Sequence, residues 1–161
     1  MKAVTVRELK IELSHRSPGE LMELCLRLAR FKKENKELLT YLLFESSNED
    51  HYIASVKEFM DEQFDEINTS SFYYIRKSAR KILTSTKKYI RYSQNKETEV
   101  ELLLYFCQKL AAFKPSIKRS TGVMNMYHRQ LAMIRKVVSK LHEDLQYDYE
   151  LELMELAKRI D

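Results

Sequence analysis

Two glycines, Gly19 and Gly122, and two prolines, Pro18 and Pro115, are all that 161 residues offer for sharp reversals of the chain. A many-stranded sheet needs such residues at every turn, because they adopt the required backbone angles at little cost. Helices joined by short polar breaks need few of them. The scarcity therefore predicts an all-α chain, and 44% hydrophobic residues supply enough apolar material for a core. At this length a single all-helical domain, residues 1–161, is expected without disulfide or metal support. The expected architecture is an irregular antiparallel bundle of about six or seven helices, with a short HEAT-like superhelix as the alternative.

The periodicity places the helices. Val6, Leu9 and Leu13 mark a short one over about 5–15. Ser17-Pro18-Gly19-Glu20 reads as a start, with Ser17 as N-cap, Pro18 in the first turn and Glu20 closing a capping box. Leu21, Leu24, Cys25, Leu28 and Phe31 then recur at the 3–4 spacing of an amphipathic helix. After a break near Asn35, Leu38–Phe44 is apolar on nearly all sides, which predicts the central helix of a bundle. Asn48 is placed to cap a helix whose buried stripe is Tyr52, Ile53, Val56, Phe59, Met60, Phe64 and Ile67. Another helix spans about 72–92, and a third runs from Asn95 or Thr98 to Pro115. From Met124 to Leu145 a heptad-like seam (Tyr127, Leu131, Ile134, Val138, Leu141) continues with a phase slip to Ile160. The slip predicts a bend near Gln146–Asp148.

Charge is segregated along the chain. Residues 1–66 carry 10 basic and 14 acidic side chains, residues 67–142 carry 16 and 3, and residues 143–161 carry 2 and 7. In the helix over 72–92 the apolar residues share one side. The other bears Arg76, Arg80, Lys87 and Arg91 in one row and Lys77, Lys81 and Lys88 in the next. No acidic residue lies between Ile67 and Lys96, so these cations have no partner within their own helix. The first row spans ~22 Å, several phosphate spacings. Arginine forks suit phosphate, and Tyr73 and Tyr92, at or beside the basic arc, could stack on an unpaired base. These nine residues are the candidate polyanion-binding face. The cations Lys114, Lys118, Arg119, Arg129, Arg135, Lys136 and Lys140 could extend it.

Two plainer readings compete. The acidic ends could lie beside the basic centre within one molecule, each exposed pair contributing only ~0–1 kcal/mol. Alternatively the face docks an acidic protein, or the chain forms a homodimer through 124–160 with one acidic tail on its neighbour's basic face. The leading expectation is a non-enzymatic helical binding module with nucleic acid as its ligand class. A structural or interaction protein comes next, then an enzyme whose residues converge only in three dimensions.

No motif points to a cofactor, a metal or a small-molecule ligand. Two isolated glycines exclude phosphate-cradling and dinucleotide loops. Glu12 and His15 have the spacing of half a di-iron site, but Asn48, Asn125 and Ser139 stand three residues before the other histidines. Cys25 and Cys107 sit in apolar patterns and are expected buried and inert. The longest apolar run, Leu102–Cys107, is far short of the ~20 residues that span a bilayer. The first ten residues lack the apolar core of a signal peptide, so no membrane and a cytoplasmic location are expected.

Overall fold

A computed structural model describes residues 1–160. Among them there is no strand. The eight α-helices are α1 (Val6–Ser14), α2 (Pro18–Phe31), α3 (Lys33–Thr40), α4 (Glu49–Asp65), α5 (Phe72–Ser93), α6 (Lys96–Ala112), α7 (Thr121–Val138) and α8 (Glu143–Ile160). A π-helical turn, Tyr41–Glu45, follows α3, and a 3-10 turn, Ile117–Arg119, precedes α7. The all-helical class and the bundle are both realised, and no helix among the described residues is long and apolar enough to cross a membrane. The chain divides into two compact units, Met1–Phe44 and the part from Glu45 onward.

The larger unit is built around α6. Val100, Leu102, Leu103, Phe106, Cys107 and Leu110 are each fully buried on that helix, and α4, α5, α7 and α8 all pack against it. α6 is thus the central helix of this unit. Its neighbours turn one stripe each toward it, including Val56, Met60 and Phe64 on α4, Ile75, Ala79 and Ile82 on α5, Tyr127, Leu131 and Ile134 on α7, and Leu153 and Leu156 on α8. Caps fix the entries. Asn48 accepts from the His51 N–H, Ser71 from Tyr74 and Asn95 from Glu97, satisfying N–H groups that a helix start leaves unpaired. Glu49 ties three of these helices together, accepting from the Ser93 hydroxyl at the end of α5 and from the Thr98 hydroxyl of α6 at 2.6 Å.

In the smaller unit α2 packs on α3. The capping box at Ser17 forms as expected, with the Ser17 N–H donating to Glu20 at 2.8 Å. Three expectations fail here. The break comes at Lys32, which is extended, rather than near Asn35. Leu38–Phe44 is not a central helix: it straddles α3 and the π turn, and Leu42, Leu43 and Phe44 are 53%, 65% and 73% exposed. Cys25 is exposed rather than buried, whereas Cys107 is buried as expected. The last two share a cause: within its unit α2 packs mainly on α3, which leaves much of the apolar surface uncovered.

The seam from Met124 onward is two helices, and the break falls earlier than the phase slip suggests. α7 ends at Val138, where backbone turns bond Lys140 to Val137 and Leu141 to Val138. The Gln146 amide reaches back from α8 to donate to the Leu141 carbonyl at 2.8 Å, pairing an acceptor that the break would otherwise leave to solvent.

Candidate functional site

α5 carries the row of cations, and its neighbours decide which of them converge. The buried arc of α5 meets α6, with α4 beside it. On the other flank α5 and α7 diverge to leave a cleft of about 460 Å³. Its α5 wall bears Arg76, Arg80, Leu83 and Lys87. Its α7 wall bears Gly122, Asn125, Met126, Arg129, Gln130 and Met133, which recur at steps of three and four and so share one helix face. Four cations therefore line one cleft, and no carboxylate is among its lining residues.

Local chemistry makes the α7 end of the cleft more positive still. A Cβ built on Gly122 would lie 2.8 Å from Cδ and 3.0 Å from Nη1 of Arg76. Arg76 therefore rests across the first turn of α7, where only a residue without a side chain leaves room. The Ser120 hydroxyl and carbonyl take the Val123 and Met124 N–H groups. The Thr121 and Gly122 N–H groups, one turn too early for an intrahelical acceptor, face outward. A guanidinium beside the positive end of a helix dipole is a like-charge pair that an incoming anion would relieve. No acidic residue occupies the first turn of either α5 or α7. Gln130 is buried and donates to the Met126 carbonyl at 3.3 Å. Its Oε1 has no hydrogen-bond partner among the described residues.

No carboxylate of α4, α6 or α8 is among the cleft's lining residues. Asp61 pairs with Lys109 at 2.9 Å and accepts from the Tyr105 hydroxyl at 2.7 Å, and Glu101 pairs with Lys57 at 2.7 Å. The Tyr149 hydroxyl of α8 donates to Glu101 at 3.3 Å. Partial burial opposes ionisation of Asp61, but the bonds from Lys109 and Tyr105 outweigh it and hold the carboxyl below its ordinary value. Burial, and then the hydrogen bond to Asp61 and its charge, push the Tyr105 hydroxyl up to about 12. Asp61 of α4 and Glu101 of α6 are thus committed to cations and hydroxyls around α6. Among the described residues, Arg76, Arg80, Lys87 and Arg129 form no ion pair.

The nine residues singled out from sequence divide by position. Arg76, Arg80 and Lys87 meet in the cleft. Lys77, Lys81 and Arg91 are exposed on α5 but are not among the cleft's lining residues. Lys88 is half-buried, its ammonium 4.9 Å from the Tyr89 ring centre. Tyr73 is 61% exposed, edge-on to Tyr74 at 5.4 Å, one turn before Arg76. Tyr92 is not on the basic arc. It is buried at 8% exposure, 6.0 Å from Tyr89, which stands edge-on to Phe59 of α4. A base cannot stack there. Sequence spacing offers Arg129 only among the cations that could extend the face, and it assigns no role to Gly122, Asn125 or Gln130. The signal for them was available, because no acidic residue occurs between Glu101 and Glu143.

No group of histidine, cysteine and carboxylate side chains among the described residues could hold a metal ion. Compared with protein-family models, curated proteins and solved structures, the chain matches none.

Proposed function

We propose that this protein is a non-enzymatic helical module that binds the phosphate backbone of nucleic acid along the cleft between α5 and α7. The observation that carries the reading is the convergence of Arg76, Arg80, Lys87 and Arg129, drawn from two helices, on one cleft with no carboxylate in its lining. Unpaired cations repel one another, and a row of phosphates offsets that repulsion while releasing condensed counterions. Tyr73, exposed one turn before Arg76, offers a face on which an unpaired base can stack, which favours single strands.

The test is fluorescence anisotropy with labelled single-stranded RNA, single-stranded DNA and duplex DNA at ~50 and ~200 mM salt. Four neutralised phosphates give a log–log salt slope near −3.6 on duplex and near −2.8 on single strands. Reversing Arg76, Arg80, Lys87 and Arg129 to Glu is expected to abolish binding with helix content unchanged in circular dichroism. Tyr73→Ala is expected to weaken single-strand binding by ~1 kcal/mol or more and duplex binding hardly at all. Absence of binding to all three ligands at the lower salt would sink the proposal.

A further inference from the structure

The smaller unit and α8 carry two exposed surfaces that the nucleic-acid reading leaves unused. Between α2 and the end of α3 runs a groove of about 690 Å³. Its apolar lining includes Leu26, Leu39, Leu43 and Phe44, and its charged lining is Arg30, Lys33 and Lys36, with no carboxylate. Lys33 is paired with Glu37 at 3.6 Å. Among the described residues of Met1–Phe44 only Tyr41 is buried. Leu43 and Phe44 are 65% and 73% exposed. A helical hairpin with so little core has its apolar surface left to cover, and contiguous patches of this kind mark association sites.

α8 presents the complementary shape and charge. Tyr147, Leu151 and Met154, at steps of four and three, are exposed at 66%, 43% and 52%. They form a narrow apolar stripe on the side of the helix opposite its buried Tyr149, Leu153 and Leu156. Glu150 borders the stripe on one side and Asp148 and Glu155 on the other, all exposed. An apolar helix stripe with an acidic border fits an apolar groove with a basic rim, in the manner of helix-in-groove recognition.

We propose that the groove of the smaller unit is a self-association site, and that its occupant is the outer face of α8 from a second copy of this chain. The charge signs fix the choice. A groove edged by Arg30 and Lys36 selects against a basic or neutral helix, and α8 is an acidic amphipathic helix that every copy supplies. The seam of α7 does not compete for this role, because Tyr127, Leu131, Ile134 and Val138 are buried against their own bundle.

Sedimentation equilibrium on the full chain tests the proposal, with reductant present because Cys25 is exposed. The wild-type chain is expected to exceed the mass of one copy by ~50 µM. Arg30→Glu with Lys36→Glu on the groove, or Asp148→Lys with Glu155→Lys on the stripe, should weaken association by ~10-fold or more. An equimolar mixture of the two pairs of variants places reversed groove against reversed stripe, and association should return. If a charge-reversed chain loses helix content, Leu43→Ser and Leu151→Ser probe the same two surfaces. A wild-type chain that stays a single copy to ~100 µM would overturn the inference. So would association that survives both pairs of reversals, or a mixture in which none returns. None of these outcomes depends on nucleic-acid binding, which is scored separately in the anisotropy experiment.

Discussion

At the scale of single residues, what distinguishes one charged side chain from another is whether it has found a partner. Asp61 has two, Lys109 and Tyr105; Arg76 has Gly122 beneath it and no carboxylate. The consequence for Asp61 can be measured. Its folded pKa lies below its ordinary 3.8, so it contributes stability that is fully present above the ordinary value. That stability is lost as pH falls through the lowered folded value. The pair is partly exposed, at 30% for Lys109 and 41% for Asp61, so screening limits the contribution to about 0.5–1 kcal/mol near neutral pH. Urea unfolding of wild type and Asp61→Asn should therefore differ by that much at pH 6–7. The two should converge as the pH falls through and below the lowered folded value. A difference that persists unchanged into acid would assign the effect to packing instead of charge.

At the scale of helices, a single buried stripe is legible from spacing, whereas a second contact side or an uncovered apolar side is not. The stripe of Ile75, Ala79, Ile82, Leu83, Thr86 and Ile90 on α5 is buried as its spacing predicts. Tyr92 was misplaced because periodicity reports one apolar side, and α4 buries α5 on a second through Phe59 and Tyr89. Leu38–Phe44 failed for the opposite reason. Hydrophobicity on all sides says that a helix could be central, but only the partners of α6 make it so. Half of the cleft was hidden because α7 shows a seam of conventional spacing, and the face of Gly122 and Arg129 becomes a wall only when α5 stands opposite. Leu103→Ala on α6 and Leu28→Ala on α2 separate the two kinds of apolar residue. The first, fully buried, should cost ~2–5 kcal/mol in urea unfolding. The second, 60% exposed, should stay within ~0.5 kcal/mol. Equal costs would mean that α2 is covered in the folded chain.

At the scale of the whole molecule, the uneven core sets where cooperativity can reside. Apart from Tyr41, every buried hydrophobic residue lies in the unit from Glu45 onward. α1, α2 and α3 are 9, 14 and 8 residues long, at or below the ~12–15 residues at which an isolated helix becomes even marginal in water. Capping boxes at Thr5 and Ser17 help each start but replace no core, since a cap contributes only ~1 kcal/mol. A fragment of residues 45–161 is therefore expected to unfold in one cooperative transition close to that of the full chain. A peptide of residues 1–44 should show little helix in circular dichroism. Amide exchange in the intact chain carries the argument one step further. α6 should exchange slowest and at a rate independent of protein concentration, because its protection comes from its own bundle. α2 and α3 should exchange rapidly in dilute solution and slow as concentration rises, because a second copy then supplies the cover their own unit lacks. Protection of α2 equal to that of α6 at every concentration would locate the cover within one chain and remove the reason for association.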